Sequence, residues 1–220
     1  VGQAEKLAIG GSLLVVGLIA AAACVPYALH RQVDWRNVAW FGLPGMVGAW
    51  LGAWLAHWVP GAAQLALFAG VMLAAAWRML RAGVTHRPDH EARRITVVAG
   101  GTAVGLLSGL VGVGGGFLIV PALVLLAGVP MASAVGTSLA VITLNSFTGF
   151  AKYLTVLGAQ GLELDWPVLL AVAAVGIVGS FAGHRLGRRL PQATLRKAFG
   201  ALLVVMGIFI AVDVGPRLLD

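Results

Sequence analysis

The chain has 220 residues, 60% of them hydrophobic and only 10% charged, with a mean hydropathy of +0.94. A soluble domain carries about 25% charged residues, so the composition excludes a soluble globular fold and describes an integral membrane protein. The formal charge of +7 does not point to nucleic acid, because the basic residues fall in short loops between apolar spans.

A membrane-crossing helix needs about 20 apolar residues. Apolar runs near 8–29, 38–58, 61–80, 95–112, 117–128, 132–154, 166–184 and 193–212 are therefore predicted helices. The fifth is too short to cross alone and can form a hairpin with the fourth. The fold class expected is all-α, a polytopic transmembrane bundle. Cys24, the single cysteine, lies in the first run, which excludes an internal disulfide and reads as a small core residue.

Loop charge gives an orientation, since Lys and Arg favour the cytoplasmic side. Arg31 and Arg36 follow the first span. Arg78, Arg81, Arg87, Arg93 and Arg94 surround the linker 82–94. Arg185, Arg188, Arg189, Arg196 and Lys197 precede the last span. Placing these three loops inside is self-consistent and leaves both termini outside. The protein is expected in the plasma or inner membrane, multi-pass. The tryptophans read as interface anchors and packing residues. Lys152 is the one cation within an apolar segment, and lysine near a helix end more often snorkels to the interface than attracts anions.

The two halves repeat. Gly10, Ser12, Leu13 and Tyr27 match Gly136, Ser138, Leu139 and Tyr153 at one constant offset. After a short gap, Asp34, Trp35, Gly45, Gly48, Gly52, Pro60 and Phe68 match Asp165, Trp166, Gly176, Gly179, Gly183, Pro191 and Phe199 at another. The first Asp-Trp pair falls in an inside loop and the second in an outside loop, the signature of inverted repeats. The division expected is a first repeat 1–81, a basic linker 82–94 and a second repeat 95–213. The second half has five segments and the first shows three, so a further glycine-broken pair is expected upstream of Val1. Three small-residue ladders, Gly48-x3-Gly52-x3-Ala56, Gly101-x3-Gly105-x3-Gly109 and Gly179-x3-Gly183-x3-Gly187, read as helix-packing surfaces.

The stretch Gly105–Pro121 is apolar on both sides and interrupted by Gly112, Gly114, Gly115 and Gly116. Consecutive glycines weaken a helix by about 1 kcal/mol each relative to alanine. A break in lipid leaves backbone groups without water, so it belongs inside protein or against a wet cavity. Broken helices of this kind hold ions in transporters, whereas a plain turn between two helices uses the same glycines. If the run ends one half-helix, Phe117 opens the next. Amides near Gly114, Gly115, Gly116 and Phe117 then face an anion with the helix dipole behind them.

Thr137, Ser138 and Asn145 add hydroxyl and amide groups to the sixth segment, and Ser138 and Asn145 share a helix face. Such groups either bind an oxyanion or bond neighbouring helices at about 0.6 kcal/mol each. Ser12 is the first-half counterpart of Ser138. His86, Asp89, His90 and Glu91 match no metal-ligand spacing. His57 reads as interfacial. His184 has no partner evident in the sequence, and His30 carries no distinct signal. No phosphate-binding glycine loop, paired intramembrane carboxylates or His-Glu-x-x-His motif is present, so neither an enzyme nor a cofactor is expected.

The run Ser108–Pro121, with Ala134-Val-Gly-Thr-Ser-Leu139, Leu144-Asn-Ser-Phe-Thr-Gly149 and the Asp34-Trp35 and Asp165-Trp166 pairs, resembles the sulfite exporter TauE/SafE family. The resemblance covers nearly the whole chain. It implies a secondary transporter of two related halves moving sulfite, sulfonates or other small anions by alternating access. A non-transporting scaffold or accessory subunit is the alternative, and homo-oligomerisation stays open. The sequence departs from the family in lacking the first glycine-rich segment. It also departs in having Gly11 where the second half has Thr137, and Ala20 where it has Ser146.

Overall fold

Backbone polar groups in lipid must be bonded within their own segment, so apolar runs of this length fold as helices. The computed structural model describes residues 3–81, 90–111, 116–159 and 164–214. The helices are α1 (Gln3–Leu29), α2 (Trp35–Leu55), α3 (Gly61–Arg81), α4 (His90–Val111), α5 (Gly116–Leu125), α6 (Met131–Ala159), α7 (Trp166–Gly187) and α8 (Gln192–Val214). All eight predicted segments are present, in order. Seven are long and apolar enough to cross a membrane, and α5, with 10 residues, is not. No strand occurs among the described residues.

The chain divides into two compact units. One holds Val1–Val33 and Leu139–Arg189, and the other Asp34–Ser138 and Leu190–Asp220.

In the second unit α2 and α4 cross almost backbone to backbone. A Cβ added at Gly48 would meet the Thr102 carbonyl oxygen, and one at Gly52 the Leu106 carbonyl oxygen. From the other side, Gly101, Gly105 and Gly109 would meet the carbonyl oxygens of Phe41, Gly45 and Ala49. Two of the three ladders are thus the two faces of one crossing. α3 buries a stripe of Phe68, Met72, Ala76 and Met79, whose spacing returns to one helix face. α3 also packs against α8, where Gly200 and Gly207 seat Leu80 and Leu73. The short α5 is buried from Leu118 to Val124 and packs on α3 and α4. Gly128, with φ of 60°, supplies the left-handed residue after its end.

In the first unit α1 packs along α7, with Leu169 over Gly11 and Ile19 against Gly176. Gly17 on α1 sits beside Ser146 and Phe147 of α6, and Leu13 lies over Gly149. Cys24 is buried, as a small core residue would be. The third ladder differs from expectation. Among the described residues nothing lies within 4 Å of a Cβ built at Gly179 or Gly183. All seven tryptophans are exposed, which fits interface anchoring.

Helix ends carry local logic too. α1 closes with Arg31 N–H on the Ala28 carbonyl and Gln32 N–H on the Tyr27 carbonyl. This pair of bonds needs a left-handed residue, and Arg31 takes it at φ 54°. That conformation costs a non-glycine residue about 1 kcal/mol. Arg31→Gly should therefore raise the thermal midpoint, by about 3 °C for a chain of this size; an unchanged or lower midpoint would deny strain at this turn.

Candidate functional site

The predicted glycine break, residues 112–115, lies outside the described residues. α4 ends at Val111 and α5 begins at Gly116. Gly114 and Gly115 lie outside the described residues, as do His86 and Asp89 and the side chain of Lys152. Gly116 and Phe117 form the first turn of α5, whose leading N–H groups have no partner within the helix. Phe117 is exposed while Leu118 and Ile119 behind it are buried. The start of α5 therefore sits at the edge of the packed interior, with the positive end of its dipole foremost.

Thr137 and Ser138 close the second turn of α6 and are almost fully buried, at 0% and 2% exposure. The Thr137 hydroxyl accepts the backbone N–H of Asp34 at 3.0 Å. Asp34 is the N-cap of α2. Its carboxylate accepts the Asn37 backbone N–H at 3.1 Å and the Asn37 side-chain amide at 2.8 Å. Thr137 thus anchors the start of α2 through its oxygen, and among the described residues its own proton has no acceptor. Sequence reasoning missed this junction, although an Asp three residues before an Asn at a helix start resembles a capping box. Ser138 donates to the Val135 carbonyl at 2.8 Å, the back-bond that hydroxyls make inside helices.

In the other unit, Ser12 is exposed and makes the same bond, to the Ile9 carbonyl at 2.9 Å. Asn145 presents a side-chain oxygen that is buried without a partner among the described residues. An unpaired buried amide oxygen costs about 1–3 kcal/mol, so Asn145 is poised for a partner. Ser146 beside it is buried and packs on Gly17. No group of three or more His, Cys, Asp or Glu side chains able to hold a metal occurs among the described residues.

The comparisons with known proteins agree with this architecture. The family described as Sulfite exporter TauE/SafE matches residues 3–210. A protein of Xylella fastidiosa (strain Temecula1) named "Probable membrane transporter protein" is 30% identical over 211 residues, 93% of this chain and 79% of the relative. A like-named protein of Methanocaldococcus jannaschii is 28% identical over 213 residues, 93% of this chain and 78% of the relative. A third, from Bacillus subtilis (strain 168), is 25% identical over 226 residues, 92% and 79% of the two chains. No solved structure matches. With seven helices fit to cross a membrane and a family match over nearly its full length, the chain belongs to the sulfite exporter TauE/SafE family of membrane transporters and is not an enzyme.

Proposed function

We propose that the protein is a secondary transporter of a small sulfur-containing or organic anion such as sulfite or a sulfonate. The observation that carries the reading is the start of α5, a ten-residue helix too short to cross, whose first turn follows a glycine run. Backbone N–H groups at such an end attract an oxyanion without burying a full positive charge, which is expensive within a membrane. Gly114 and Gly115 leave room for close approach, and Gly116 and Phe117 bring the amides. The Thr137 proton is free to donate, and Ser138 can turn its hydroxyl from Val135 when a substrate oxygen offers a better acceptor. Asn145 exchanges its unpaired oxygen for its NH2 donors by half a turn of its amide. Ser12 is the counterpart of Ser138.

The transport cycle in this reading is alternating access between inverted repeats, 1–81 and 95–213, joined by the basic linker 82–94. Local geometry supports the repeat. Asp34 and Asp165 occupy matching positions and both cap their helices, with φ, ψ of −89°, 87° and −76°, 82°. The helices they open, α2 and α7, have 21 and 22 residues. The basic loops face the cytoplasm and the chain lies in the cell membrane.

The test is flux in proteoliposomes with sulfite, thiosulfate, sulfate and a small sulfonate as the panel. Saturable flux of one anion is expected. Ser138→Ala and Asn145→Ala should each raise the half-saturating concentration about tenfold, the worth of one hydrogen bond, with no loss of folded protein. Unchanged flux in both variants would remove these residues from the site. No flux of any panel member from folded protein would favour an accessory subunit.

A further inference from the structure

The end of the α1–α7 pair carries a cluster that the transport reading does not use. His30, just past the end of α1, lies beside Arg188, the C-cap of α7, with Arg188 Nη1 at 3.3 Å from His30 Nε2. On its other side, His30 Nδ1 is 2.6 Å from the Pro26 carbonyl oxygen. A carbonyl only accepts, so Nδ1 carries the hydrogen. Nε2 then offers its lone pair to the guanidinium, and His30 is neutral in this arrangement. His184, in the last turn of α7, stands 6.3 Å from His30 by ring centroids, and Tyr27 meets it edge-on at 4.6 Å. Both His184 ring nitrogens are buried and without a hydrogen-bond partner among the described residues.

Three features make this arrangement incomplete. Arg188 uses a neutral imidazole where a guanidinium ordinarily finds a carboxylate or phosphate. His184 has a donor and an acceptor idle. Protonating His30 would turn its Nε2 into a donor and end the bond to Arg188. Among the described residues every group facing His184 is neutral or basic: Tyr27 from α1, His30 just past it and Arg188 at the end of α7, with Arg31 and Arg185 adjoining in sequence. The helix C-termini favour positive charge here, and an oxyanion would supply the acceptors that Arg188 and two protonated imidazoles need.

We propose that His30, His184 and Arg188 form an oxyanion-binding site whose occupancy is linked to proton uptake by the two histidines. The ligand is a sulfate- or phosphate-like group, either a free anion or the headgroup of an anionic lipid. Binding replaces the Arg188–His30 bond with bonds from both groups to the anion. The site shares no residue with the glycine and hydroxyl positions proposed for transport.

The experiment uses the full chain in neutral detergent, with thermal unfolding followed at pH 6 and pH 8. Sodium sulfate is one probe and mixed micelles of phosphatidylglycerol the other, at constant ionic strength. Ligand at about ten times its dissociation constant should raise the midpoint by about 4 °C at pH 6 and by much less at pH 8. A response to sulfate assigns a free anion. A response to the lipid alone assigns a headgroup, and both support the site. Arg188→Gln and His30→Ala, at exposed positions that tolerate substitution, should abolish the pH-dependent response, as should His184→Gln. Ser138→Ala should keep it, which separates this site from the transport reading. Equal responses in wild type and in Arg188→Gln and His30→Ala, or no response to either probe at pH 6, would overturn the proposal.

Discussion

Gly105→Leu should leave no folded protein after detergent extraction, and Gly105→Ala should cost more than about 3 kcal/mol of stability. The reason is what a new side chain would meet. A Cβ at Gly105 lies on the Gly45 carbonyl oxygen, with the Gly45 carbonyl carbon and Cα at 2.7 and 2.8 Å. Those are backbone atoms in the middle of α2, so no rotamer change relieves the overlap. The two helices would have to separate along the whole crossing, which also carries Gly48, Gly52, Gly101 and Gly109. Within lipid no hydrophobic force draws helices back together, so loss of close packing is uncompensated. Gly70→Ala is the control. It too sits mid-helix, in α3, but nothing lies within 4 Å of its added Cβ. That change should stabilise by up to about 1 kcal/mol through helix propensity. Thermal midpoints and size-exclusion profiles of both variants decide the matter. Equal midpoints for Gly105→Ala and wild type would mean that α2 and α4 do not cross at backbone contact.

Asp34→Ala should cost about 2–4 kcal/mol and Asp165→Ala about 1 kcal/mol or less, although both residues precede a tryptophan and both cap helices. Asp165 accepts a single long bond, from the Val168 N–H at 3.3 Å, in an exposed setting. Asp34 accepts two bonds from Asn37, and Asn37 is buried. Removing the Asp34 carboxylate takes away the cap and also strands a buried side-chain amide, and the second loss is the larger. The Asp34 backbone N–H still reaches Thr137, so Asp34→Asn, which keeps an acceptor oxygen, should recover much of the loss. Unfolding midpoints of the three variants give the comparison. Equal costs at the two positions would show that Asn37 draws nothing from Asp34.

The helices themselves were legible in the chain because apolar length is decided locally. Eight runs appear as eight helices, and even the short fifth one is short in the structure, since ten apolar residues between Gly116 and Leu125 have nowhere to extend. The ladders announced close packing but not their partners. Pairing Gly48 and Gly52 with Gly101, Gly105 and Gly109, while the equivalent row at Gly179 and Gly183 stays open, depends on which helix arrives at which face.

The polar groups mark the limit most sharply. The composition of α6 names Thr137, Ser138 and Asn145, but it does not say that the Thr137 oxygen is taken by Asp34 or that the Asn145 oxygen has no partner among the described residues. His30 and His184 carried no signal singly. They stand far apart in sequence, at the ends of two helices that only the tertiary structure lays side by side. The sequence by itself determined the membrane, the helices and the family, because these follow from hydropathy and motif. Tertiary structure alone decided which polar atoms are spent on one another and which, among the described residues, have no partner. A hydrogen bond is settled by distances of a few tenths of an ångström between residues that the sequence keeps far apart.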